Sequence, residues 1–242
     1  MSSTSTMTPE RFQDRFEAFK DEPQQVSGVW LLHSAIADLP GSEVVLDEEA
    51  TWALKFSEKP PTPPAPSTTN PLKVKYESQL DNASGQGSRE CFSSSCAMLA
   101  TYWGKVSNDD EYNRIRAKYG DSTDSQAQLS ALRSLGLVAN YNTTGIKAKL
   151  QQEINAGRPV AVGWLHHGPP SAPSGGGHWT VVIGYCADAT IHNDPNGEAN
   201  LAAGGYTDNL NGAGLSYSDK NWLPRWEADG AGTGWYLTAH LP

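Results

Sequence analysis

The sequence predicts an α+β fold for most of its length, and three observations carry that reading. Helical periodicity is concentrated between residues 91 and 156, and segments rich in Val, Ile, Trp and Tyr follow between 159 and 239. A proline run at 60–71 separates both from a short front segment. Helices first and strands afterwards predict helices packed on an antiparallel sheet rather than alternating βα units. With 242 residues, 38% hydrophobic content and eight tryptophans, the chain can bury one domain of about 150–200 residues plus a small accessory piece.

In the front segment, Thr8-Pro9 reads as an N-cap followed by proline at the first helical position, and Phe12, Phe16 and Phe19 recur at helical spacing. A second helical pattern spans 23–39, with Val29, Leu32 and Ile36 on one stripe and Pro40-Gly41 as its stop. Trp52 and Phe56 suit a third helix. Residues 1–58 are therefore expected to form a small helical accessory module. Residues 59–71 can support neither a ladder nor a helix, because Pro60, Pro61, Pro63, Pro64, Pro66 and Pro71 remove donors and fix the backbone; they predict an extended, semi-rigid spacer.

Residues 72–242 form the main domain. Its first stretch, 72–76, alternates as a strand, and the small and apolar run 91–103 predicts a helix. Further helices are expected at 108–118, at 126–135 with Gly136 as its stop, and at 146–156 with Gly157 as its stop. Strands are expected at 159–165, 179–185, 190–193 and 234–239, separated by loops rich in Gly, Asn and Asp.

The net charge of −9, without a cluster of Lys or Arg, offers little to nucleic acid or to an anionic membrane surface. No apolar stretch approaches the roughly 20 residues of a membrane span, and the polar start from Met1 to Met7 lacks the basic and apolar parts of a signal peptide. Cys91, Cys96 and Cys186 are too few and too oddly spaced for a disulfide framework, and no Cys-x-x-Cys pair suggests zinc. Asp81, Asn82, Asp109, Asp110 and Glu111 lack the spacing of an EF-hand loop and read as solvated acidic surface. A reduced compartment, no cofactor, no metal and a monomer are expected.

Cys91 is the residue with most chemical content. A helix starting at or just before it places the positive dipole end and free N–H groups beside the sulfur, which favours thiolate. Cys96, five residues on at about 100° each, lies some 140° round the helix and is expected in the core. His178 opens a strand after Gly175-Gly176-Gly177 and precedes Trp179, a natural wall for a site. If 179–185 and 190–193 form a hairpin turning near Cys186, facing residue numbers sum to about 372, which places Asp194 opposite His178 to within a residue or two. The competing reading is that Asp194-Pro195-Asn196-Gly197 is only a turn. Gln79, twelve residues before Cys91, carries an amide suited to an oxyanion hole together with the Cys91 backbone N–H. Trp164 and Trp179 suit the walls of an open cleft; His166, beside His167 in a Gly/Pro loop, either lines the same groove or is merely solvated.

Five blocks in this order, Gln79-Leu80-Asp81-Asn82, Cys91-Phe92-Ser93-Ser94-Ser95-Cys96-Ala97-Met98, Ala156-Gly157-Arg158-Pro159-Val160, Gly177-His178-Trp179-Thr180-Val181-Val182-Ile183-Gly184-Tyr185 and Asn193-Asp194-Pro195, resemble the bacteriocin-processing (double-glycine leader) peptidase-like branch of the papain superfamily. The resemblance covers residue 72 to the C-terminus and implies a papain-like cysteine peptidase domain. It implies Cys91 as nucleophile, His178 as general base, Asp194 as orienting acid and Gln79 as oxyanion residue. Phe92-Ser93 stands where members often show Gly-Pro. A short helical module and a proline spacer ahead of such a domain are similar to cell-wall hydrolases of bacteriophages, including those infecting cyanobacteria.

The combined resemblance implies a thiol hydrolase that cleaves amide bonds in peptidoglycan stem peptides through an acyl-enzyme on Cys91, with Trp179, Trp164 and His166 at the substrate. It would be held in the host cytoplasm before release to the wall, or carried in a virion. The alternatives are a leader-peptide or other peptide-processing cysteine protease, and an idle papain-like module that binds peptide or glycan. A pure binding module has no need of thiol, base, acid and amide together.

Overall fold

The computed structural model describes residues 70–242 and, before them, four short strands at 24–26, 29–31, 42–46 and 52–56. The chain divides into two compact units, Met1–Pro64 and Ala65–Pro242. In the first, β1 (Gln24–Val26) pairs antiparallel with β2 (Val29–Leu31), and β3 (Ser42–Leu46) with β4 (Trp52–Phe56). These hairpins replace the helices expected at 23–39 and around Trp52. Val26, Val29, Val44 and Val45 are β-branched residues that favour extended backbone, and the spacing from Trp52 to Phe56 fits a period of two as well as 3.6. The helix expected over 8–19 lies outside the described residues.

The second unit is the α+β domain. Its helices are α1 (Cys91–Tyr102), α2 (Asp109–Arg116), α3 (Ser125–Ser134), α4 (Lys147–Asn155) and α5 (Asp219–Trp226). Six strands, β5 (Val138–Gly145), β6 (Val160–Trp164), β7 (His178–Tyr185), β8 (Ala189–Asn193), β9 (Leu215–Ser218) and β10 (Gly234–His240), form one antiparallel sheet in the order β5-β10-β6-β7-β8-β9. The alternation of side chains across the pleat sends Ala161, Val181, Ile183, Leu237 and Ala239 to one face, where they join Phe92, Met98, Leu99 and Leu132 from α1 and α3. Val160, Val162, Trp164, Val182 and Tyr236 go to the other face and meet Leu150 and Ile154 of α4 and Trp222 and Trp226 of α5. The sheet is therefore covered on both sides, which is why β6 and β7 read as continuous apolar runs.

Helix α1 is buried along its length from Phe92 to Ala100, a residue set apolar or small on every side. Two of its three buried serines are hydrogen-bonded there: Ser93 donates to Asn113 Oδ1 at 2.5 Å and Ser94 to Asp109 Oδ2 at 3.3 Å, whereas the Ser95 hydroxyl has no partner among the described residues. Helices α2 and α3 are capped as their sequences predict, with Asn108 accepting from Glu111 N and Asp124 from Gln126 N. Residues 72–76 do alternate between buried and exposed positions, yet they make no strand: Leu72 N reaches Ile183 O, but Val74 N is spent on Leu72 O, and Val74 O is held by the Asn193 side chain.

Candidate active site

The end of the sheet where β6 and β7 meet the N-terminus of α1 gathers the chemically important side chains. Cys91 is the first residue of α1, preceded by two single-turn 3₁₀ segments, Gln79–Asp81 and Gly87–Arg89. Glu90 sits at the N-cap and is buried; it accepts from Asn82 Nδ2 and Ser84 Oγ, each at 2.7 Å, and Arg116 Nη2 lies 3.6 Å away. This network holds the backbone that leads into Cys91. Ser93 and Gly120 O tie Arg116 in turn.

His178 opens β7 and is fully enclosed, as is Asp194 just beyond β8. Their side chains meet through His178 Nε2 and Asp194 Oδ1 at 2.7 Å. The strand register is offset from the expected one, because Val181 faces Asn193 and Val182 faces His192, and a bulge near Gly184 shifts it once more. His178 and Asp194 are thus diagonal neighbours rather than a directly opposed pair, a separation that long polar side chains span. The Asp194 carboxylate is further fixed by Asn196 N on Oδ1 at 3.0 Å and by the Tyr217 hydroxyl on Oδ2 at 2.9 Å. Asp194 therefore lies in a turn and also reaches the imidazole, since the one carboxylate oxygen accepts from Asn196 N and meets His178 Nε2.

With Nε2 engaged by Asp194, the remaining ring nitrogen of His178 is left for a thiol partner, and Cys91 lies near enough to act on the charge of this imidazole. Burial opposes a charge on His178, but the carboxylate of Asp194, its hydrogen bond, and the neighbouring Cys91 outweigh it and raise the imidazole to about 10. Trp164 packs edge-on against His178 at a centroid distance of 5.3 Å, Tyr206 at 5.6 Å, and His166 at 5.7 Å. Burial first, and then the neighbouring imidazolium of His178, push His166 down to about 4, so it stays neutral.

Gln79 is anchored at both ends of the same region. Its backbone N–H donates to Pro195 O at 2.9 Å, next to Asp194, and its side-chain Nε2 donates to Gly87 O at 2.8 Å in the turn before Cys91. Among the described residues that is the single hydrogen bond of the Gln79 amide, whose second N–H remains for another acceptor. The close packing requires glycine at 87, where a Cβ would lie 2.1 Å from Gln79 O.

Beside Cys91 opens a cleft of about 330 Å³. Trp164 and Trp179 line it, together with Trp226, Trp235, Gly163 and the loop glycines 176 and 177. Trp179 stacks on Phe92 at 3.7 Å and lies over Gly163, where a Cβ would come within 2.8 Å of the indole. His166 is not a lining residue; it belongs to the shell around His178. Cys96 is wholly buried and its thiol is pushed up by that burial, whereas Cys186 is exposed in the β7–β8 turn. Asp109, read from sequence as solvated surface, is instead buried, as is Asn82. Among the described residues, no three His, Cys, Asp or Glu side chains gather to hold a metal ion, and no helix is long and apolar enough to cross a membrane.

The sequence reading missed Tyr217, Tyr206 and Glu90, along with the cleft walls Trp226 and Trp235. Tyr217 stands on a four-residue edge strand amid Gly and Asn, and Trp226 on a helix interrupted by Pro224, so neither carried a periodic signal.

Residues 71–223 match the Peptidase_C39 like family, and the chain belongs to that family of cysteine peptidases; the architecture above is their papain-like fold. Among curated proteins no sequence matches significantly. One similar solved structure is a double glycine motif protease from an AMS/PCAT transporter in complex with its leader peptide, 20% identical over 73% of this chain and 98% of that one, with a TM-score of 0.47. Another is the peptidase domain of Streptococcus ComA, a bifunctional ABC transporter of a quorum-sensing pathway, at 16% identity, 70% and 99% coverage and a TM-score of 0.48. A third, from Bacillus anthracis and described as a C39-like peptidase, is 14% identical with 72% and 98% coverage and a TM-score of 0.46.

Proposed function

We propose that this chain is a peptide-processing cysteine peptidase that cleaves an extended polypeptide through an acyl-enzyme on Cys91. The observation that supports it most is the buried His178–Asp194 pair, bonded at 2.7 Å, near Cys91 at the N-terminus of α1. In this reading the thiol proton already rests on the second ring nitrogen of His178, whose basicity is raised to about 10, and the sulfur attacks the scissile carbonyl carbon. The oxygen takes up the displaced electron pair and is held by the Cys91 N–H and the second N–H of Gln79. His178 returns its proton to the departing amine, leaving a thioester; it then deprotonates a water that releases the acid and the thiol. Asp194 keeps the ring oriented and stabilises its cation without taking the proton.

Family membership supports peptide-bond cleavage and is silent on a cell-wall substrate, so peptide processing takes precedence over the peptidoglycan reading. The test is incubation of wild type and Cys91→Ala with a panel of extended peptides, some bearing a double-glycine site, and in parallel with purified peptidoglycan. Mass spectrometry identifies the products. Cys91-dependent peptide products with intact peptidoglycan are expected. Release of wall fragments alone would replace this reading with a wall hydrolase, and no product from either would leave a binding module.

A further inference from the structure

The cleft beside Cys91 holds two ionisable residues besides the thiol itself, Arg225 and Asp229, and they are in opposite situations. Arg225 is buried and its guanidinium makes five hydrogen bonds: Nε to Leu201 O, Nη1 to Leu165 O and His167 O, and Nη2 to Gly168 O and Leu201 O. A guanidinium has five N–H groups, so none is left for a substrate carboxylate. Asp229 is exposed and makes no hydrogen bond or ion pair among the described residues. Of the acids flanking the lining positions, Asp121 is paired with Arg89 at 3.2 Å, while Asp124, next to Thr123, and Glu227, before Ala228, have no cationic partner among the described residues. No lysine lines the cleft. Trp235, which lines the same cleft, is 46% exposed, offering an indole surface to methylene groups and its ring face to a cation.

From this asymmetry we infer that the cleft selects substrates that place a lysine- or arginine-type side chain next to the scissile bond, its methylenes along Trp235 and its charge at Asp229. The inference rests on the peptidase reading for its location and specifies the substrate class. An acidic side chain in the same place would meet an unneutralised carboxylate with no free cation among the lining residues, and a neutral aliphatic one would gain the indole contact alone.

The test uses full-length protein and a set of peptides identical except at one position near the cleaved bond, occupied by Lys, Arg, norleucine or Glu. The wild type should process the Lys and Arg peptides about five- to tenfold better than the norleucine one in kcat/KM, with Glu poorest, and the gap should narrow in high salt. Asp229→Asn should shrink the Lys preference to about twofold, and Asp229→Lys should invert it toward Glu. Asp188→Asn, an exposed acid in the β7–β8 turn, controls for net charge and should leave the preference intact. Equal rates for Lys and norleucine, or a preference that survives Asp229→Lys, would overturn the inference. Binding to Cys91→Ala, followed by tryptophan fluorescence, separates the two claims. A Lys preference in binding without cleavage by wild type upholds the cationic subsite and removes the peptidase reading; no preference in binding removes the subsite whether or not peptides are cut.

Discussion

Tyr217 donates its hydroxyl hydrogen to Asp194 Oδ2 at 2.9 Å, on the carboxylate oxygen that His178 leaves free. The same phenol oxygen accepts from Ala199 N at 3.1 Å, and the ring is buried against Trp164 and His192. Tyr217 is thus a positioning residue: it sets the plane of the carboxylate that sets the plane of the imidazole. Tyr217→Phe should cost about 1.5–3 kcal/mol of stability, the usual contribution of a hydrogen bond to a charged group. It should also lower kcat about tenfold. Without the phenol's donation the carboxylate charge acts more fully on His178, so the alkaline limb of the kcat/KM profile should move to higher pH. A fall in kcat with an unmoved limb would reduce Tyr217 to a packing role.

Asp194→Asn should act in the opposite direction on that limb. His178 is raised from an ordinary value of 6.5 to about 10 because Asp194 overcomes burial; with a neutral amide, burial prevails and the limb should fall by several pH units. Activity near neutrality should drop about 10²–10⁴-fold, since the imidazolium loses its stabilisation and its fixed orientation. The sign for stability follows from the raised folded pKa. The stabilising contribution is complete below about 6.5 and is lost as pH rises through about 10. Denaturant unfolding at pH 7 and pH 10 should show a decline in the wild type that Asp194→Asn lacks, and parallel declines would refute the coupling.

How much of this was legible beforehand depended on whether a residue's neighbours in sequence shared its environment. Strands β6, β7, β8 and β10 lie inside the sheet and helix α1 is buried, while α2 to α4 each bury one face and expose the other, so their patterns were plain. The edge strand β5 contains Asn140, Asn142, Thr143 and Thr144 and alternates poorly in burial, and α5 contains Pro224; both were hidden for that reason. His178 and Asp194 could be paired because a hairpin register is nearly an arithmetic constraint, and the observed register departs from the expected one by only two or three positions. Tyr206 and Tyr217 approach His178 and Asp194 from loops and an edge strand that no spacing rule connects to Cys91. Arg225 was equally hidden, since its partners are backbone carbonyls, which carry no residue signature.

Gly87 offers a test of how Gln79 is held. A Cβ at 87 would overlap the backbone oxygen Gln79 O at 2.1 Å, with no flexible side chain to yield. Gly87→Ala should therefore displace the Gln79–Asp81 turn and cost about 1–3 kcal/mol, as overpacking does. Gln79→Ala should remove only the amide, lowering kcat by about 10²-fold while iodoacetamide still alkylates Cys91 at the wild-type rate. Slowed alkylation in Gln79→Ala would show that the amide shapes the thiol itself rather than the transition state.

Asp109 supplies a pH effect away from the reacting groups. It opens α2, is buried at 6% exposure, and accepts from Ser94 Oγ at 3.3 Å. Burial first, then the charge of Glu77, raises its carboxyl from 3.8 to about 6, with smaller contributions from Asp81 and Asp110. A folded pKa above the unfolded one means the native state holds the extra proton, so the stabilising contribution is full below about 3.8 and disappears as pH rises through about 6. Asp109→Asn keeps a polar group of the same shape at α2 and removes the charge. The variant should melt higher than wild type at pH 7.5, by about 1 kcal/mol once solvent screening is allowed for, and within a few tenths of wild type at pH 4. The loss of a negative charge in the first helical turn works against this gain by about 0.3–1 kcal/mol, and Asn108 still caps the helix. Thermal melts of both proteins at the two pH values decide the matter: a variant less stable than wild type at pH 7.5 would mean that Asp109 is ionised and held as a carboxylate by its neighbours.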